Sequence, residues 1–182
     1  MSVKRYRTGL ALMLLFSGLA QAQCQLSLSR AEINYGKVHD SDYSGQHKRW
    51  KILNDRNVQM TAMCDGQVKM AIFAQGGTQD DGFRFGADSI MLVTASNATL
   101  DGKPVMLGKT ISHGSFTLNG AASDKKLLQD NEGLVPVSGE QILEGQQFSV
   151  MLTVRPALSE RDTQVSDKTK TESDLHFNVE TE

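Results

Sequence analysis

Two cysteines are the residues of this chain best suited to do chemistry. Cys24 and Cys64 are separated by 40 residues, and the sequence holds two cysteines in all. In an oxidising compartment such a pair forms a disulfide, which would stabilise a loop of this length by about 4 kcal/mol on loop-entropy grounds. A free thiol pair and a zinc site are the alternatives, but two cysteines without a nearby histidine pair make a poor zinc site.

The other polar residues do not form a recognisable catalytic or metal-binding pattern. The acidic stretch at Asp80-Asp81-Gly82 is followed by no EF-hand ligand spacing. Hydrolase, P-loop and dinucleotide-binding motifs are missing from the sequence. The four histidines lack the short spacings that bind metals; they are His39, His47, His113 and His176. We therefore expect a protein that is not an enzyme and that uses no metal or cofactor.

The first 22 residues predict export. A basic start precedes an apolar run at residues 9–16, and Ala20-Gln21-Ala22 matches the small-residue pattern that signal peptidase cleaves. The run is far shorter than the ~20 residues of a membrane span, so we interpret residues 1–22 as a secretory signal peptide. The basic residues are Lys4, Arg5 and Arg7.

The mature chain, residues 23–182, has the length of a single domain. Removing the three basic residues of the signal peptide leaves 16 basic against 21 acidic residues, a net charge of about −5. A mildly acidic chain without a basic run is a poor nucleic-acid binder. We expect it in the periplasm, with both cysteines oxidised.

Period-two alternation of apolar residues dominates the mature chain and predicts β-strands. It is clearest at residues 58–64 and 68–74, and the Asp65-Gly66 pair between them predicts a hairpin turn. Residues 123–130 are the one helical candidate, and residues 159–173 predict an exposed polar loop. Many short strands without a long helix indicate an all-β antiparallel sandwich or barrel. Further strands are predicted at 50–53, 89–95, 105–111, 115–118, 148–154 and 175–179.

The arrangement of these features resembles the pilin subunits of chaperone–usher fimbriae, and within them poorly characterised two-cysteine fimbria-associated proteins. The resemblance covers most of the mature chain. It is carried by Cys24 in a first strand, Tyr35-Gly36, Cys64 at the end of the strand at 58–63, and Phe85-Gly86.

The resemblance implies an immunoglobulin-like β-sandwich that lacks its last strand. An open apolar groove results, which a periplasmic chaperone fills before an outer-membrane usher assembles the subunits. A neighbouring pilin subunit then inserts its N-terminal arm into the groove by β-augmentation. The residues implied to line this strand-acceptor groove are Leu26, Leu28, Leu175, Phe177 and Val179.

Two departures from the family pattern matter. Family pilins end with a glycine and a penultimate tyrosine in the last strand, whereas this chain retains only the alternation from Leu175 to Val179. They also carry an arm of a dozen or so residues before the first cysteine, whereas cleavage after Ala22 leaves Gln23 alone before Cys24. Such a subunit has no strand to donate, so we expect a minor, adhesive subunit at the fimbrial tip, on the cell surface.

The sequence leaves an alternative function open. A self-complete exported β-sandwich that recognises a glycan or a peptide would share the signal peptide, the cysteine pair and the alternating strands. The receptor, a host glycan or protein, would in either case be bound by loops whose geometry the sequence does not give.

Overall fold

The computed structural model describes residues 23–47, 49–163 and 171–182, so the predicted signal peptide lies outside the described residues. Nearly every element is a β-strand, and all strand pairs are antiparallel, which confirms the all-β prediction. No helix of the described residues is long and apolar enough to cross a membrane.

Most of the elements follow one another with short connections. The strands are β1 Cys24–Leu28, β2 Tyr43–His47, β3 Trp50–Leu53, β4 Arg56–Gly76, β5 Thr78–Gln79, β6 Gly82–Phe85, β7 Ser89–Leu100, β8 Lys103–Pro104, β9 Met106–Thr110, β10 Lys125–Leu127, β11 Glu132–Ser138, β12 Gln141–Ile142, β13 Glu144–Ser159 and β14 Leu175–Thr181. A 3-10 turn at Asp40–Asp42 and a helical turn α1 at Glu160–Thr163 interrupt the strands. The central order of the curled sheet is β12-β11-β4-β13-β7-β6-β5.

The long strand β4 organises the sheet. Its first half pairs with β1 on one edge and with β13 on the other. Its second half pairs with β14 and with β11. Lys69 of β4 lies opposite Glu144 of β13, and its carbonyl accepts a hydrogen bond from the Glu182 amide at the end of β14 (3.0 Å). Strands β14 and β1 therefore lie one after the other along the same edge of β4.

The cysteine pair forms the predicted disulfide. Cys24 and Cys64 are direct partners in the β1–β4 register, with Cα atoms 4.0 Å apart and an S–S distance of 2.00 Å. Leu26 and Ala62 are the next inward-facing pair along the same two strands. The disulfide thus fastens the first strand to the middle of β4, beside the main core.

The prediction of a hairpin at Asp65-Gly66 is wrong, because strand β4 continues through these residues. A tight hairpin turn needs positive φ angles, and neither Asp65 nor Gly66 has one. Residues 64–67 instead lie opposite the single residue Gln146 of β13, and this bulge lets β4 bend between its halves. The same two residue types do form a hairpin at Asp101-Gly102, with φ angles of 49° and 76°.

Both halves of β4 contribute to one main core. Met60 and Met70, one from each half, are completely buried in it together with Phe148 of β13. On the opposite face of the second half, Phe73 packs into a smaller cluster with Phe116. Residues 115–118, predicted as a strand, therefore form an irregular segment that covers this second cluster.

One polar segment differs from its prediction, and a second is described only in part. Residues 123–130 contain strand β10 instead of a helix, because residues 125–127 pair with the edge of β7. The segment predicted as an exposed loop, residues 159–173, begins with Ser159, which is buried at the end of β13. The Asp162 carboxylate then accepts hydrogen bonds from Ser89 Oγ and from the Asp88 amide. Residues 164–170 lie outside the described residues.

We expect the disulfide to make a large contribution to stability. Replacing both Cys24 and Cys64 with serine should lower the free energy of unfolding by about 2–4 kcal/mol, because the unfolded chain regains the entropy of an open loop. Urea denaturation of the mature protein measures this change. Reductant should shift the midpoint of the wild type but not that of the double variant. Equal midpoints for wild type and variant would contradict the expectation.

The turn at Asp101 should make stability depend on pH. Hydrogen bonds from the backbone amides of Gln147 (2.8 Å) and Gln146 (2.9 Å) hold the pKa of the Asp101 carboxyl below its usual range. Because the pKa of Asp101 is lower in the folded state, its ionised form stabilises the fold at pH values above the unfolded-state pKa of about 3.9. This stabilisation is lost as the pH falls through the folded-state pKa. Asp101→Asn keeps an acceptor and tolerates the positive φ angle. The midpoint temperature of thermal unfolding should be higher for the wild type than for the variant at about pH 7, and the two midpoints should converge by about pH 3. Parallel pH profiles would refute this assignment.

Candidate functional site

A large cavity opens between the inner face of the sheet and the strand β14. Its volume is about 1150 Å³, which exceeds the roughly 300–1,000 Å³ of usual small-molecule pockets. Its floor is formed by buried apolar side chains of three neighbouring strands. These are Val58 of β4, Leu152 and Val154 of β13, and Met91 and Val93 of β7.

Strand β14 forms one wall of the cavity, and its side chains alternate between core and solvent. Leu175, Phe177 and Val179 are half-buried and pack against the main core, whereas His176 and Asn178 are exposed. This is the period of a strand with one apolar face. The wall therefore presents apolar side chains to the cavity and polar ones to water.

The backbone of β14 has one occupied edge and one free edge. The Ala74 carbonyl accepts a hydrogen bond from the Asn131 amide (2.8 Å), so the backbone groups of Ala74 point away from β14. Ala74 and its β14 partner Phe177 therefore form a non-hydrogen-bonded pair. Because the two kinds of pair alternate along an antiparallel ladder, the adjacent pair, Phe73 and Asn178, is hydrogen-bonded. By alternation, Leu175, Phe177 and Val179 direct their N–H and C=O groups to the other edge, where β14 pairs with no described strand.

The opposite wall is residues 30–38, which we call the strap. The strap forms no strand pairing with any of the residues that the structure describes. Ile33 and Tyr35 are half-buried, and the Tyr35 hydroxyl donates to the Val154 carbonyl (3.3 Å). Burial raises the pKa of Tyr35 to about 12, and the Arg56 guanidinium lies 5.5 Å from the centre of its ring. This tyrosine thus connects the strap to the sheet, together with Ile33, which packs against the main core.

The residues predicted to form the groove divide into two sets. Leu28, Leu175 and Phe177 line the cavity. Leu26 and Val179 are partly buried against the main core but do not line the cavity. The sequence analysis missed the strap and the floor, although the alternation of Ile33 and Tyr35 with polar residues is a signal that could have indicated the strap.

The polar residues singled out in the sequence lie away from the cavity. Asp80 forms an ion pair with Arg49 (2.5 Å) at an exposed hairpin. His113 stacks on Phe73, with ring centroids 4.1 Å apart, and hydrogen-bonds Glu180 (2.8 Å) on the outer face of β14. Within the described ranges, no group of three or more His, Cys, Asp and Glu side chains could hold a metal ion. The floor of the cavity offers apolar contact, and charged side chains also line the cavity, namely Arg30, Glu32, Lys37, Asp162, Glu172 and Asp174.

Comparison with known proteins identifies a similar protein but no matching protein family. The chain is similar to YhcE, an uncharacterised protein of Escherichia coli (strain K12), with 28% identity over 186 residues. The alignment covers 98% of this chain and 99% of that protein. No protein-family model matches the chain, and no solved structure matches it. The similarity extends over nearly the full length of both chains, but the name of that protein assigns no function.

The alternation along β14 predicts that aspartate substitutions at adjacent positions differ in their effect on stability. Phe177→Asp should lower the free energy of unfolding by about 2–3 kcal/mol, because it places a charge on an apolar wall. Asn178→Asp introduces the same side chain on the exposed face and should change stability by less than about 0.5 kcal/mol. Chemical denaturation of the two variants measures the difference. A larger loss for Asn178→Asp than for Phe177→Asp would reverse the assignment of the two faces.

Proposed function

We propose that this protein is a minor, tip-located subunit of a chaperone–usher fimbria that accepts a donor strand and contributes to cell adhesion. The observation that carries the proposal is the free edge of β14 beside an apolar cavity. An exposed edge of this kind is a template for pairing with another chain. An extended peptide that pairs with it would be bound by β-augmentation.

The chemistry of the site suits an incoming strand. The free N–H and C=O groups of Leu175, Phe177 and Val179 would supply main-chain hydrogen bonds over a strand length of about 20 Å. Alternate side chains of the incoming strand would point into the cavity and contact its apolar floor. Hydrogen bonds would then give affinity, and the fit of the alternate side chains would give the register.

The first residue of the predicted mature chain supports acceptance without donation. After cleavage behind Ala22, the one residue ahead of Cys24 is Gln23. The Gln23 carbonyl accepts a hydrogen bond from the Asp65 amide of β4 (3.3 Å), so this residue extends the β1–β4 pairing. On this proposal the exported protein is held by a periplasmic chaperone, delivered to an outer-membrane usher, and placed first in the fibre on the cell surface.

A self-complete binding module is the second candidate function. It is favoured by the strap, because Ile33 already packs against the main core and Tyr35 is half-buried beside the cavity. Such a protein would be stable and monomeric without a chaperone, and it would recognise a glycan or a peptide by its loops. The two candidates differ in whether the cavity takes up a strand.

Strand exchange tests the proposal directly. The protein is co-expressed with a fimbrial chaperone, and the purified complex is incubated first with a synthetic donor-strand peptide and then with a second chaperone-bound pilin. We expect the peptide to enter this protein and release the chaperone, and we expect no insertion of this protein into the other pilin. Native mass spectrometry measures both products. Failure to bind a chaperone or take up a strand would favour the self-complete binding module.

Three variants locate the effect in the groove. Phe177→Asp should reduce chaperone capture and peptide uptake, because it damages the apolar wall, whereas Asn178→Asp should leave both unchanged. A pilin-type arm grafted ahead of Cys24 should convert the protein into one that also inserts into another pilin. Equal uptake by both aspartate variants would mean that the peptide binds elsewhere.

A further inference from the structure

We propose that the strap closes onto the free edge of β14 when no other strand occupies the cavity. The strap would then act as a built-in cover that an incoming strand has to displace. This inference concerns the protein by itself and goes beyond the proposed function, since it requires neither a chaperone nor a fimbria.

Two unpaired stretches of backbone face the same cavity. On one side, the N–H and C=O groups of Leu175 and Phe177, which line the cavity, point away from β4, and those of Val179 continue the same free edge beyond it. On the other side, the strap has no strand partner among the described residues. A strand edge whose backbone groups lack a partner is a template for pairing with another extended segment. Pairing the two stretches with each other would satisfy both at once.

The strap has the sequence of a strand although it forms none here. Ala31, Ile33 and Tyr35 alternate with the polar residues Glu32 and Asn34, which is the pattern of a strand with one apolar face. In the structure Ile33 and Tyr35 are already half-buried, whereas Glu32 and Asn34 are exposed. Six residues of extended strap would span roughly 20 Å, close to the roughly 23 Å of the seven-residue β14.

The strap is fastened to the sheet just before its start and by the hydroxyl of Tyr35, and its far end is shaped by a hydrogen bond within the strap. At its start, the Ser29 amide donates to the Gln59 carbonyl of β4 (2.8 Å). Towards its end, Gly36 has a φ angle of 67°, and its amide donates to Asn34 Oδ1 (2.7 Å). Between these points, the hydroxyl of Tyr35 makes the hydrogen bond to Val154. A positive φ angle at a glycine lets the chain change direction at low cost, so residues 30–35 can swing as a unit.

Hydrogen exchange of the donor-free mature protein tests this closure, and β14 supplies its own reference. The amides of His176 and Asn178 donate towards β4 and should be protected in any folded state. If the strap closes, the amides of Leu175, Phe177 and Val179 should be protected to within about tenfold of that reference. Exchange of these three amides at the rate of an unstructured peptide would overturn the proposal.

A matched pair of strap variants identifies the covering segment. Ile33→Ala weakens the inward face of the strap and should speed exchange of the free-edge amides by about tenfold or more, with the amides of His176 and Asn178 unchanged. Glu32→Gln alters the outward face and should change neither set. Protection that survives Ile33→Ala, or an equal rise in both sets, would overturn the proposal. Because no donor peptide is present, either failure is separate from failure of the strand-exchange test.

Discussion

Pairing of β4 along both edges is the constraint on which the rest of the structure depends. This strand runs from Arg56 to Gly76 and has β1 and β14 on one edge and β13 and β11 on the other. Because inward-facing residues of both halves lie in the same main core, the bend at residues 64–67 determines how the two halves enclose it. The Cys24–Cys64 disulfide lies at the start of this bend, where it keeps β1 in register with β4.

The same arrangement leaves one edge of β14 without a strand partner among the described residues. Strand β14 uses one edge to pair with β4, and its other edge lies beside a cavity that has an apolar floor. The strap crosses the far side of that cavity without pairing. An apolar cavity and a free edge in one place combine the two requirements of strand recognition, which are side-chain pockets and backbone partners. The proposed functions differ in which strand meets those requirements.

The polar contacts around β14 hold the wall of the cavity in place from outside. His113 and Phe73 stack on its outer side, and Glu180 hydrogen-bonds the histidine. At the end of the strand, the Glu182 carboxylate accepts from the Phe116 amide (2.6 Å) and from Lys69 (3.2 Å). These contacts and the β4 ladder fix the position of β14, so its free edge is a fixed target, whereas the strap opposite it is fastened at few points.

The sequence alone predicted an all-β fold, the cysteine pair and the inward faces of the strands whose alternation is clear, because period-two alternation and residue type are local properties. It did not predict β11, and it assigned a helix where β10 forms. It placed Leu175 and Phe177 on an apolar face correctly, and it missed the strap. It also placed a hairpin at Asp65-Gly66, where the chain continues, although the same dipeptide type turns at Asp101-Gly102. Local residue type permits both conformations, and only the strands that pair on either side of β4 select one.

Alternation tells which face of a strand is buried, but it carries no information about which edge is paired. Tertiary structure alone decided that β14 has a free edge beside a cavity, because strand pairing joins residues that are distant in the chain.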